Sequence, residues 1–452
     1  MPSIFVLLGI MLAVICLWFL LLKRPIYEGV IISFIILVAL TGTWTSIPAF
    51  FLDAMKTSLL YSMVAFIAMS QILSKTKIID NCVYIIIALL GRIPGGAGYA
   101  SIIASSFMGA LSGSGPGNVM ATGSITIPAM KKTGFPPELA ANVESTSSYL
   151  GNMIPPSANI VAALGAYMAV YPDSGLTTGR FWIVCWGISL WFILSRILQL
   201  FAFCKYYKIK PMAKGDIPNI KETLKNGWTG LLLPVIILAP FIFDSVCNAG
   251  FITARLGEAG AKHFSSSLLI FVAGIASLYG ILAAKDRKST TIKSLIETFA
   301  KGVKGLSPIV ATCIFGYTIG ALFEHIEAGA QMQVVFESLN IGKLGLALFI
   351  PLITCFISMV IPGSSIVVMF GSVFITLFAS AGVNPLLVAA MLPCMCGVMC
   401  GITPPFALGM YAGMSIAKSD FSKTLKNDLW WVAVQYILEV VVLLELLPIL
   451  GL

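Results

Sequence analysis

Charge is scarce in this 452-residue chain: its 28 Lys and Arg and 19 Asp and Glu make up only 10% of the residues, against about 25% in a soluble domain. That shortage excludes an ordinary water-soluble globular protein. Histidine is almost missing, with only His263 and His325. Both fall in expected outer loops beside charged residues, no Ser/His/Asp or Cys/His set is assembled, and the chain reads as a non-enzyme. The ten cysteines occur mostly singly inside apolar runs, where a thiol behaves as a small hydrophobe. The densest group, Cys394, Cys396 and Cys400, has neither the paired Cys-x-x-Cys spacing of zinc ligands nor a neighbouring histidine, so no disulfide framework and no transition metal are expected. No basic region precedes the first apolar run. Lys23-Arg24 follow it instead, the reverse of a cleavable signal peptide, so the first helix is expected to stay. The net charge of +9 is spread between apolar segments and forms no continuous nucleic-acid-binding face.

What the chain has is hydrocarbon: 58% apolar residues, a mean hydropathy of +0.97, and runs long enough to cross roughly 30 Å of bilayer core. Full crossings are expected at 4–22, 28–45, 57–74, 180–204, 228–246, 265–284, 304–323 and 428–449. Two further segments, 97–133 and 341–380, read as helical hairpins that bend back at Ser112-Gly113-Ser114-Gly115-Pro116-Gly117-Asn118 and at Ile361-Pro362-Gly363-Ser364-Ser365. Each is followed by a helix, 137–171 or 385–417, broken at a double proline. The register repeats: Gly115 with Gly363, Gly123 with Gly371, Gly134 with Gly382 and Pro137 with Pro385 are all 248 apart. Short amphipathic stretches at 79–91 and 327–339 precede the hairpins as interfacial helices.

With the N-terminus outside, 22 of the 28 Lys and Arg fall on the cytoplasmic side. Arg196 is read as snorkelling from inside a helix. Five crossings per copy make the copies inverted. The expected fold is therefore an all-α polytopic membrane protein of two inverted five-crossing repeats, 1–204 and 228–452, joined by a cytoplasmic linker, 205–227. Such repeats, with unwound helices meeting near the midplane, are the architecture of secondary transporters.

Backbone that leaves helical geometry inside hydrocarbon needs partners for its amides and carbonyls, so the four breaks are the candidate sites. Ser112, Ser114 and Asn118, with Asn152 and the 151–154 carbonyls facing them, form an all-oxygen set suited to Na⁺. Ser364 and Ser365, with Thr403 and the 400–403 carbonyls, form its counterpart. Half-helices restarting at Pro116, Pro156, Ser364 and Pro405 would aim positive dipole ends at the centre and favour a carboxylate substrate. Substrate contacts are expected at Asn118, Asn152, Pro156, Ser365 and Pro405. A purely structural reading, close packing of hairpin arms through Ser101, Ser105, Gly109 and Ser112, explains single residues but not two hairpins facing two broken helices. Glu144, inside the first broken helix, is expected to brace the site or pair with a cation, whereas Glu439 faces a partner subunit or a snorkelled cation.

The Ser112–Asn118 tip, the run Ala121–Met130, the Met153-Ile154-Pro155-Pro156 break and, in the second copy, Gly401-Ile402-Thr403-Pro404-Pro405 with Gly413–Ala417 together resemble the DctM-like large membrane subunit of tripartite ATP-independent periplasmic (TRAP) transporters. The resemblance covers nearly the whole chain. It implies an elevator-type importer of small organic acids in a bacterial inner membrane, driven by Na⁺ as coupling ion and using no other cofactor. It also implies a small four-helix membrane subunit and a soluble periplasmic substrate-binding protein as partners. The family's sodium sites map to Ser112, Gly113, Ser114, Asn118, Gly151 and Met153, and to Gly363, Ser364, Gly401 and Thr403. A stand-alone Na⁺- or H⁺-coupled organic-anion symporter is the alternative.

Overall fold

The structure is a computed structural model that describes residues 3–452 except 57, 77, 113–114, 285–290, 329–330, 332–333, 335–341, 360–362 and 405–406. Among the described residues every regular element is helical. Helix α1 (Ile4–Cys16) runs on as a π-helical turn to Leu21, and α2 (Ile26–Thr41) stops at Gly42, whose φ of 71° only glycine adopts without strain. A short α3 (Ile47–Lys56), not anticipated from hydropathy, leads to α4 (Ser58–Thr76) and α5 (Ile78–Leu90). The first hairpin is α6 (Gly96–Ser112) and α7 (Gly115–Lys132), and the first broken helix is α8 (Pro137–Leu150) and α9 (Ala158–Val170). Then follow α10 (Thr178–Tyr206), α11 (Ile220–Cys247), α12 (Thr253–Ala283) and α13 (Ile292–His325). The second hairpin is α14 (Lys343–Ser358) and α15 (Gly363–Ser380); the second broken helix is α16 (Pro385–Leu392) and α17 (Leu408–Ala417), joined by a π-helical stretch, Pro393–Val398. Helix α18 (Phe421–Leu443) is capped by Asp420, whose side chain accepts the Lys423 N–H at 3.1 Å.

Five described segments are both long and apolar enough to cross a bilayer: Pro137–Val170, Thr178–Tyr206, Ile220–Asp244, His263–Ala283 and Gly363–Ser380. The expected crossings 180–204, 228–246 and 265–284 coincide with three of them. The run 4–22 is helical from Ile4 to Leu21 through the π-helical turn, and the run 28–45 contains the 16-residue α2. The run 428–449 is shifted, because α18 already ends at Leu443. The supposed linker 205–227 is shorter than expected: α10 reaches Tyr206, and Asn219 caps α11 by accepting the Lys221 N–H at 3.0 Å. The stretch 79–91 is α5, while most of 327–339 lies outside the described residues.

The helices sort into an outer group and an inner group. In the outer group of α1–α4 and α11–α13, α12 packs against α4 and α13 against α2 and α3, while α11 packs on α12 and most extensively on α5. Inside, α6 and α7 clasp α8, while α15 lies along α9. The two halves cross over, because α17 of the second broken helix packs on α7 and α8 of the first hairpin and first broken helix. The breaks thereby meet, Gly151–Met153 touching the Pro393–Val398 turn.

Candidate functional site

Helix α8 ends in a tight 3₁₀ turn, Gly151–Met153, and the chain restarts as α9 only at Ala158. Pro156 is therefore not a first-turn residue, as the sequence reading held. Ser157 caps instead, its Oγ accepting the Ile160 N–H at 3.3 Å and donating to the Asn152 carbonyl at 2.5 Å. The second restart also comes later than Pro405, at Leu408, where Ala407 precedes the helix without a side-chain cap. Pro405 itself lies outside the described residues, as do Gly113 and Ser114 of the first tip. Ser112 closes α6.

Each hairpin approaches a break through glycine. A Cβ on Gly151 would overlap the backbone of Gly109 and Ala110 in α6, and a Cβ on Gly363 would overlap that of Cys396 and Gly397. The two approaches are alike in kind, small residues allowing main chain to meet main chain so that carbonyls converge. A third close approach joins the two halves of the chain. The Tyr149 ring, from the last turn of α8, occupies the space a Cβ would need on Gly115, Gly401 or Gly409. Tyr149 is a functional candidate the sequence reading missed, since nothing local marks which aromatic will reach glycines so far apart in the chain.

The expected ligands are distributed as follows. Asn118 is buried, and its Nδ2 donates to the Ser105 carbonyl at 2.8 Å and to Ser148 Oγ at 2.9 Å. Asn152 does not face the first tip: its Nδ2 donates to the Gly397 carbonyl at 2.8 Å, tying one break to the other. The Met153 carbonyl accepts Ser189 Oγ of α10 at 2.8 Å, which leaves it one lone pair. Thr403 Oγ1 donates to the Met399 carbonyl at 2.8 Å. Ser364 is half-buried and Ser365 buried at the start of α15. Asn118 stands on the first hairpin and Gly151 and Met153 on the first break, Gly363 and Ser364 on the second hairpin and Gly401 and Thr403 on the second break, with the Asn152–Gly397 bond joining the two breaks.

The most developed polar feature is the environment of Glu144, which is completely buried in α8. Five hydroxyls donate to its two oxygens. Ser105 reaches Oε1 at 2.8 Å, Thr122 at 2.5 Å and Ser148 at 3.1 Å, while Ser101 and Thr126 reach Oε2 at 2.6 and 2.5 Å. No cation is needed to explain this carboxylate, because hydrogen bonds to a charged acceptor are what a buried carboxylate requires. Ser101 and Ser105, read from sequence as packing residues, are donors here. A signal existed in their i, i+4 spacing and that of Thr122 and Thr126, which places each pair on one helix face. Because Ser148 also receives the Asn118 amide, Glu144 braces the first hairpin tip without lining the break.

Two other expectations are corrected at the α10–α18 seam. Arg196 does not snorkel: it is 1% exposed, with Nη2 donating to Gln435 Oε1 at 2.9 Å and the guanidinium 5.3 Å from the Trp431 ring centre. Glu439 faces inward. Its Oε1 accepts Gln435 Nε2 at 3.1 Å and Cys394 Sγ at 3.4 Å. This polar strut links α10, α18 and the turn that carries Gly397.

Interrupted helices, two hairpins and apolar crossings around touching breaks define a multi-pass membrane protein of the transporter class. The chain superimposes on the Alcanivorax borkumensis YdaH transporter with a TM-score of 0.61, covering 90% of this chain and 88% of that one at 15% identity, a likeness of fold. It belongs to the family of the DctM component of tripartite ATP-independent periplasmic transporters, whose family model matches residues 4–450. Among relatives, it is 26% identical over 391 residues to the C4-dicarboxylate TRAP transporter large permease protein DctM of Vibrio cholerae, covering 83% of this chain and 82% of that protein. It is 22% identical over 380 residues to the 2,3-diketo-L-gulonate TRAP transporter large permease protein YiaN of Escherichia coli, with the same coverage.

Proposed function

We propose that this chain is the permease subunit of a sodium-coupled secondary transporter that imports a small organic acid across a bacterial inner membrane. In this reading the inner helix group is the moving transport module and the outer group the scaffold, in an elevator built from two inverted repeats. Na⁺ occupies the oxygen clusters at Asn118, Gly151 and Met153 and at Gly363, Ser364, Gly401 and Thr403. The substrate carboxylate sits between them, near Asn152, Pro156 and Ser365. A four-helix membrane subunit and a soluble binding protein complete the transporter, as the family membership suggests. The two named relatives carry different acids, so organic anions as a class are favoured over any one of them.

The observation that carries this reading is the contact between the two breaks, fastened by Asn152 to the Gly397 carbonyl. Unwound backbone is tolerated at membrane depth only where protein, water or an ion satisfies it, and here two such stretches face each other. Sodium binding there raises anion affinity, and the coupling is reciprocal at equilibrium. The test is uptake by the reconstituted chain with its small subunit and binding protein under an imposed Na⁺ gradient. Uptake should follow Na⁺, and Asn118→Ala should raise the Na⁺ concentration needed for half-maximal rate. Uptake indifferent to Na⁺, but driven by a pH gradient in the chain alone, would replace this reading with the stand-alone proton symporter.

A further inference from the structure

Away from the breaks, a groove of about 600 Å³ opens where the turn after α5 meets α6 and the second half of α10. Leu90, Ile93, Tyr99, Ile103, Ile197 and Phe201 line it, and Lys205 closes one end. Ile93 is 45% and Phe201 50% exposed. Ile197, Phe201 and Lys205 follow at i, i+4 and i+8 on one helix face. That face runs about 12 Å along α10, most of the roughly 15 Å that one leaflet contributes to the hydrocarbon core.

The ends of the groove differ in charge. Lys205 Nζ stands 4.6 Å from the Phe201 ring centre, and Arg92 is exposed in the turn between Leu90 and Ile93. Exposed Lys208 and Lys210 are held at the same end, because the Lys210 N–H bonds to the Thr133 carbonyl and the Met212 N–H to the Gly91 carbonyl, both at 3.0 Å. The nearby Asp216 is already paired with Lys132 at 2.8 Å. An apolar trough one leaflet deep, with cations only at its headgroup end, complements an amphiphile with an anionic head. A free phosphate would gain nothing from Ile103, Ile197 or Phe201.

We propose that this groove holds one acyl chain of an anionic glycerophospholipid, whose phosphate lies between Lys205 and Arg92. The proposal needs only that the chain is membrane-embedded, and it stands or falls separately from the transport reading. The test is native mass spectrometry of the full-length chain, delipidated in mild detergent and titrated with phosphatidylglycerol or with phosphatidylcholine of the same acyl chains. Phosphatidylglycerol should form the first adduct in preference. Lys205→Gln and Arg92→Gln should each weaken it about fivefold, the effect of the roughly 1 kcal/mol that one Lys or Arg gains beside anionic lipid. Lys423→Gln, an exposed cation elsewhere, should change nothing. Ile103→Trp, which fills the trough, should remove the first adduct of both lipids. Equal binding of the two lipids by the unsubstituted chain would overturn the proposal, as would phosphatidylglycerol binding unchanged in Lys205→Gln and Arg92→Gln or in Ile103→Trp. A photo-crosslinker at Phe201 that captures a protein helix in native membranes, and no lipid, would also overturn it by giving the groove a different occupant.

Discussion

Replacing Glu144 by Gln tests whether its ring of five hydroxyls is a brace. The substitution keeps the shape and one acceptor oxygen but removes the charge and turns the other oxygen into a donor. If the amide NH₂ takes the Oε2 position, it meets Ser101 and Thr126, whose hydroxyls lie 2.6 and 2.5 Å from that atom. Thr126 has a second acceptor in the Thr122 carbonyl at 3.1 Å, so Ser101 bears most of the loss. Reducing five charge-assisted bonds to neutral ones, at about 1 kcal/mol each and with partial re-pairing, costs about 3 to 5 kcal/mol. At roughly 2 °C per kcal/mol, the low end for larger domains, that lowers the melting temperature by about 6 to 10 °C. The assay is tryptophan-monitored thermal unfolding of the purified chain in detergent, with Na⁺ titrated in parallel. Glu144→Ala should be no better, since Ser101 and Ser148 lose their acceptor and a cavity opens. A Glu144→Gln protein that melts within about 2 °C of the unsubstituted chain would refute the brace, because a shift that small corresponds to about 1 kcal/mol for the whole ring.

Gly401→Ala places a methyl inside the Tyr149 ring; it should collapse the yield of monodisperse protein in size-exclusion chromatography, and Tyr149→Ala in the same chain should restore part of it. Arg196→Met removes the donor to buried Gln435 Oε1 in the α10–α18 seam and should cost about 1 to 3 kcal/mol in thermal unfolding, the cost of leaving a buried acceptor unpaired; an unchanged melting temperature would refute the strut. Glu445, beyond the end of α18, bonds the Lys343 ammonium and the Asn384 N–H, and these two contacts hold its carboxyl below the usual range. A lowered carboxyl stabilises the fold above its unfolded pKa, about 4.3, and that contribution is lost as pH falls through the lowered folded value. The protection of the Asn384 amide, its exchange rate divided into the intrinsic rate at each pH, should therefore fall as pH drops below about 4.3 in the unsubstituted chain and not in Glu445→Gln.

How much of this was legible beforehand differs element by element. The 248-residue register located both hairpins and both broken helices, because Gly and Pro dictate where a helix can turn or stop within a few residues, whatever packs around it. The restarts at Ala158 and Leu408 were misplaced because a proline marks where a helix can begin. Where the first of them does begin was decided by the Ser157 cap, a hydrogen-bonding choice made in the folded chain. Glu144 could be singled out as an intramembrane acid, but its five donors come from α6, α7 and α8. Only their packing shows that hydroxyls satisfy it. Arg196 failed in the opposite sense: its place in a long apolar helix suggested a side chain reaching for water, and the packing of α18 supplied Gln435 and Trp431 instead. The sequence by itself determined that the chain lives in a membrane, where its helices break and that the breaks recur, since apolar content and helix-breaking residues act locally. Which break touches which, and which polar atoms meet there, was decided by tertiary structure, because those partners lie tens to hundreds of residues apart and no local preference selects among them.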